Sequence, residues 1–161
     1  MKKLFVFLLI GSLIFLSSCA STSVVKSDGS MVPSGTNVPF GKISNESFAE
    51  RYIGADVLVD CRFFSSESTT ASYTTKKLPK GHFAFRVISV NADPNANELT
   101  GALASLVVFA PMEYSDMIFS LKKGEKLQLR GGTYVTKAKY GSFFGQNQRY
   151  VHFMATSITK Q

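Results

Sequence analysis

The chain has 161 residues, 45% of them hydrophobic, a formal net charge of +7 and two cysteines. That is enough for one domain with a real core, and the cysteine count excludes a disulfide-built scaffold. The charge is uneven: residues 20–120 hold 8 Lys/Arg against 10 Asp/Glu, whereas residues 121–161 hold 8 against 1. Such a basic surface can draw in an anionic partner; equally, it can be a solvated face that keeps the protein soluble.

Lys2 and Lys3 form a short basic start, and residues 4–16 (LFVFLLIGSLIFL) are apolar and uncharged. At about 1.5 Å per residue this stretch covers only about 20 Å, short of the roughly 30 Å hydrocarbon core, so it reads as an export signal. Leu16-Ser17-Ser18-Cys19 follows and resembles the lipobox of bacterial lipoproteins: an apolar residue, two small ones, then the cysteine whose thiol carries lipid. The resemblance implies removal of residues 1–18 and acylation of Cys19 with diacylglycerol plus a third chain, palmitate-like anchors that together hold a protein stably on a membrane. It places the protein in the cell envelope. Ala20, rather than Asp, after the cysteine implies the periplasmic side of the outer membrane in a diderm. With Cys19 committed to lipid, Cys61 is the one remaining thiol, and its apolar strand pattern makes it a small core residue.

Residues 19–39, rich in Ser, Thr, Gly and Pro, read as a flexible tether, and residues 40–161 as the folded domain. Residues 45–52 (NESFAERY) predict a two-turn helix capped by Ser44 or Asn45 and ended by Gly54. A first strand covers 56–64 (DVLVDCRFF), with Val57, Val59, Cys61 and Phe63 on one face and Asp60 and Arg62 on the other. Residues 65–81 form a polar connection in which 72–75 have strand character. Strands follow at 82–90 and 103–110, separated by the turn-rich 91–98. The period then changes: Tyr114, Met117, Ile118 and Leu121 fall on one stripe of a helix. Pro111 stands at its start, acidic residues near its beginning, Lys122 and Lys123 near its end, and Gly124 at its C′ position. A fourth strand begins at 126 with Leu127 and Leu129 inward, bends at Gly131-Gly132 and resumes to about 139. Residues 140–148 are a loop and 149–158 the fifth strand.

The order β-β-β-α-β-β is that of a mainly β, five-stranded OB-type barrel with a helix between strands three and four. A small β-sandwich and an open sheet covered by one helix are the alternative architectures. Tyr52, Gly54, Val57 and Val59, with Leu121, Gly124, Leu127 and Gly131, resemble the short-helix-to-strand-one and strand-four signatures of tRNA-anti-like OB domains. Cys61-Arg62-Phe63 stands where those domains have a glycine. The resemblance implies the barrel fold and, by itself, no RNA ligand.

No local signature of catalysis is present: no G-x-S-x-G, no Walker loop and no G-x-G-x-x-G. His82 and His152 sit in strands without a second ligand at metal spacing, and Asp93-Pro94-Asn95-Ala96-Asn97 lacks the Gly and Glu that a calcium loop needs. The reading is therefore a non-enzyme without metal or cofactor. OB domains bind ligands beside the first and last hairpin loops. Those loops carry Tyr73, Lys76, Lys77 and Lys80, then Lys137, Lys139, Tyr140, Phe143, Phe144 and Arg149, a mixture of cations and aromatics suited to a strand of nucleotides or sugars. Two functions follow. The first, favoured by the tether and the lack of chemistry, is a lipid-anchored assembly module that docks on an envelope protein. The second is a binder of an anionic polymer through the basic–aromatic loops.

Overall fold

A computed structural model of the chain describes residues 32–66, 78–96, 104–139 and 147–161, with backbone alone at 135–139 and 147–149. Six strands form: β1 (Thr36–Asn37), β2 (Val57–Ser66), β3 (His82–Ser89), β4 (Leu106–Pro111), β5 (Lys126–Lys139) and β6 (Asn147–Lys160). β2 pairs antiparallel with β3, and β3 with β4. β4 runs parallel to β6, from Val107 opposite His152 to Phe109 opposite Met154. β6 pairs antiparallel with β5, which returns to β2 and closes the ring. A closed five-stranded barrel in this order, its third strand parallel to its fifth, is the OB-fold. The sandwich and the open sheet are excluded by the β2–β5 ladder.

The barrel is filled by the inward half of each alternating strand. Val57, Val59, Cys61 and Phe63 of β2 meet Phe83, Phe85 and Val87 of β3, Leu106, Val108 and Ala110 of β4, and Leu127 and Leu129 of β5. β6 contributes Phe153, Ala155 and then Ile158, a change of phase. The register explains it. Arg130 stands opposite Ser157 but Gly131 opposite Ala155, so Thr156 is an extra residue that bulges out and turns the next inward position to 158. The bend expected at Gly131-Gly132 is this bulge, and the inserted residue lies on the partner strand. Gly131 has φ 152°, and a Cβ there would lie 1.9 Å from the Met154 carbonyl oxygen, so no other residue lets the strands approach as closely.

Helical pieces complete the core. Asn45 caps α2 (Glu46–Ala49) as expected, its Oδ1 accepting from the Ser47 N–H at 2.9 Å, and a 3₁₀ turn (Glu50–Tyr52) continues it. Ahead of it stands α1 (Phe40–Ser44), which the sequence pattern did not single out and which buries Phe40 and Ile43. Between β4 and β5 the expected helix is shorter than its stripe suggested: a 3₁₀ turn (Met112–Tyr114) and α3 (Ser115–Phe119). Ile118 and Leu121 join the core, with Tyr114 and Met117 packed against it. Gly124 does adopt a left-handed φ of 90°, but in the turn entering β5 rather than at the helix end. In that turn, the Lys122 N–H donates to Glu125 Oε2 at 2.8 Å.

The tether boundary at residue 39 requires correction. Val32 and Val38 are buried in the core, β1 runs parallel to β2, and the Val38 N–H donates to the Leu58 carbonyl at 2.8 Å. Among the described residues, packing therefore already includes residue 32. The fifth strand likewise starts at Asn147, inside the stretch read as loop.

Candidate ligand-binding surfaces

Of the residues expected to bind, Tyr73, Lys76, Lys77, Tyr140, Phe143 and Phe144 lie outside the described residues, as does Cys19. Lys80 is exposed in the turn before β3, where its carbonyl lies 3.1 Å from His82 Nδ1. Lys137, Lys139 and Arg149 are placed by the β5–β6 ladder. Lys137 stands opposite Arg149, and Lys139 opposite Asn147. β2 accompanies β5 only as far as Gly131, and β4 accompanies β6 only over 152–154. Among the described residues, the far parts of β5 and β6 thus pair with each other as a two-stranded ribbon leaving the barrel. Residues opposite one another, and alternate residues along a strand, share a face, so one ribbon face collects the positions of Lys137, Lys139 and Arg149.

A second feature was not read from the sequence. A groove of about 770 Å³ runs along the outside of the bulge, between the loop before β2 and strands β5 and β6. Its apolar walls are Ile53, Tyr134 and Met154, with Ile53 47% and Tyr134 38% exposed. The Tyr134 ring is backed by two buried rings: His152 at 6.4 Å and Phe109 at 6.3 Å, which themselves stack at 4.8 Å. Gly132 lets the loop come close, since a Cβ there would lie 2.4 Å from the Ala55 carbonyl oxygen. Buried Thr133 fastens the same region by donating its hydroxyl to the Ala49 carbonyl at 2.5 Å.

The polar end of the groove is a two-pronged ion pair. Arg130 Nε donates to Asp56 Oδ1 at 2.8 Å, and Nη2 to Oδ2 at 2.6 Å. Ser34 donates to the same Oδ2 and accepts from Arg130 Nη2 at 3.3 Å. The Arg130 hydrogen bond, aided by that of Ser34, holds the Asp56 carboxyl below the usual carboxylate range against the opposing cost of burial. The signal available in the sequence was the strand alternation, which puts Asp56 and Arg130 outward, but a period-two pattern cannot say which outward residues meet.

Elsewhere the polar groups are structural. Asp60 accepts from Asn37 at 3.1 Å, Gln128 at 2.9 Å and Gln161 at 3.1 Å; these amide bonds, Asn37's first, lower its pKa. Arg62 donates to the Val90 and Gly124 carbonyls at 2.9 and 3.0 Å, tying two turns together. Cys61 is buried in the core as expected, and burial pushes its thiol pKa up, away from reactivity. Asp93 makes a turn, its Oδ1 accepting from the Asn95 N–H at 2.8 Å. Among the described residues no three His, Cys, Asp or Glu side chains gather as a metal site.

No protein-family model and no curated protein matches the chain. Among the solved structures similar to it are the following two. One is a chain named as an aspartyl-tRNA synthetase from Leishmania major Friedlin, at 10% identity and a TM-score of 0.44; the match covers 84% of this chain and spans only 22% of the synthetase chain. The other is the small single-stranded DNA-binding protein from Streptomyces coelicolor, at 12% identity and a TM-score of 0.41, covering 66% of this chain and 93% of that one.

Proposed function

We propose that the chain is a lipid-anchored, non-catalytic binding module of the cell envelope, and that its β5–β6 ribbon takes a phosphate-bearing anionic polymer. The observation that carries this reading is the ladder register that sets Lys137 opposite Arg149. Like charges directly opposite destabilise a sheet, whereas an anion lying across the pair relieves the repulsion. Lys139 extends the same face, and residues 121–161 hold 8 basic residues against 1 acidic. Binding is expected to weaken with salt. Three phosphate contacts give a slope of about −2 in log affinity against log salt for a single strand. A dT oligonucleotide, a teichoic acid and lipopolysaccharide are the probes. Lys137→Glu with Arg149→Glu abolishes binding; a salt-independent affinity, or none for any probe, overturns the reading. Anchoring has its own test: labelled palmitate enters the wild-type chain and not Cys19→Ser, and equal labelling of both removes Cys19 as the anchor.

A docking partner in the envelope remains the second reading, supported by a different surface. Met112 is 52% and Phe119 59% exposed at the β4–β5 connection, where the Phe119 ring packs on Phe83 at 5.6 Å. Exposed large apolar groups of this kind anchor protein interfaces. Phe119→Asp with Met112→Asp prevents capture of one stoichiometric envelope protein under this reading; undiminished capture rules it out.

A further inference from the structure

We infer that the groove between Ile53 and Tyr134 is a binding site for a neutral saccharide. The inference stands apart from the ribbon, and none of the lining residues belongs to β3 or β4, the strands whose face OB domains ordinarily use. The Tyr134 ring is open to solvent yet fixed from behind by His152 and Phe109. A ring already held in place loses little rotamer freedom when a ligand arrives. Its π face is electron-rich, so it receives the polarised C–H groups on one face of a pyranose. Ile53 and Met154 flank the ring and shed water from the same face of the sugar.

Hydroxyl recognition comes from the other end. A carboxylate has about four acceptor positions. Arg130 Nε occupies one on Asp56 Oδ1, while Arg130 Nη2 and Ser34 occupy two on Oδ2, leaving Oδ1 one acceptor for a sugar hydroxyl. Ser157, which stands opposite Arg130 in the ladder, also lines the groove. The charges decide the class of ligand. Asp56 and Arg130 neutralise each other within the groove, so it offers a phosphate no net attraction, while the fixed pair still presents polar groups to a diol. A volume of about 770 Å³ lies within the range of small-molecule sites.

The test uses the full-length chain in detergent micelles, titrated with cellobiose, lactose and N,N′-diacetylchitobiose, and reads the ring protons of Tyr134 by NMR. At least one disaccharide shifts them and receives saturation on its C–H face. Tyr134→Ala weakens that binding by about tenfold, whereas Tyr134→Phe, which keeps the ring, stays within about threefold. Should Tyr134→Ala fail to fold, Asp56→Asn with Ser157→Ala replaces it, and undiminished binding there counts against the site. Lys137→Glu with Arg149→Glu leaves sugar binding intact, which separates this site from the ribbon. The inference is overturned if no disaccharide moves Tyr134, if a sugar binds Tyr134→Ala as well as wild type, or if only the anionic polymer moves Tyr134.

Discussion

β5 is two strands in one. Over residues 126–131 it is paired on both sides, to β2 and to β6, and its alternate residues Leu127 and Leu129 are fully buried. Over residues 132–139 its partners among the described residues are β6 and the single bridge from Ile53 to Thr133. The alternating positions there hold Thr133, Val135, Lys137 and Lys139, a gradient from buried to charged. The change happens at Gly131, where the bulge of β6 redirects both strands. One continuous ladder thus supplies core cohesion at its near end and a two-stranded ribbon at its far end, and a glycine marks where one gives way to the other.

The difference between the two halves rests most heavily on that glycine. Gly131→Ala is expected to cost about 4 kcal/mol or to prevent folding, because the new Cβ meets backbone that cannot rotate away. A loss below about 1 kcal/mol in urea unfolding would show that the bulge is not sterically fixed. Leu129→Ala, in the doubly paired half, should cost about 3 kcal/mol through the cavity it leaves. Lys137→Ala should be near neutral; equal losses would erase the distinction between the halves.

Acid provides a smaller effect at the junction. The pKa values of Asp56 and Asp60 are lowered in the fold, so their contribution is present above the unfolded value of about 3.9 and disappears as pH falls through the lower folded values. For Asp56 it amounts to about 1 kcal/mol or less, since Arg130 is half exposed. Asp56→Asn should flatten part of the stability loss between pH 5 and about pH 2; an unchanged profile would remove the ion pair from the account. The smallest effect belongs to the ribbon. Lys137→Glu replaces a like-charge pair with an attractive one and should stabilise the chain by about 0.5 kcal/mol at low salt, a gain that vanishes near 1 M. Destabilisation at low salt would contradict the register.

The barrel was legible because five strand-like segments and one helical stripe came in an order that few folds share. Val57, Val59, Cys61 and Phe63 point inward as their period demands. β1 was hidden for a physical reason: its strand character comes from pairing with β2, and Val32 and Val38 are dispersed among Pro, Ser and Gly that dominate the local composition. The shortness of α3 was equally invisible, because Tyr114, Met117, Ile118 and Leu121 keep their inward positions through a 3₁₀ turn, α3 and the turn after it as they would on a longer helix. The groove could not be read at all. Ile53, Asp56, Arg130, Tyr134 and Met154 are spread over a hundred positions, and only barrel closure and the bulge at Thr156 bring them together.

The parallel pairing of β1 with β2 also has a mechanical consequence. The Gly35 N–H donates to the Asp56 carbonyl at 2.7 Å, and the Val38 N–H to the Leu58 carbonyl at 2.8 Å. The chain enters β1 through the Pro33–Thr36 turn, so a load applied at Val32 meets that turn and these two bonds before it reaches the barrel. The pair acts as a strain relief between the leading segment and the barrel. Its resistance under force is set by the rate at which that short clasp slips, not by the equilibrium stability of the domain behind it.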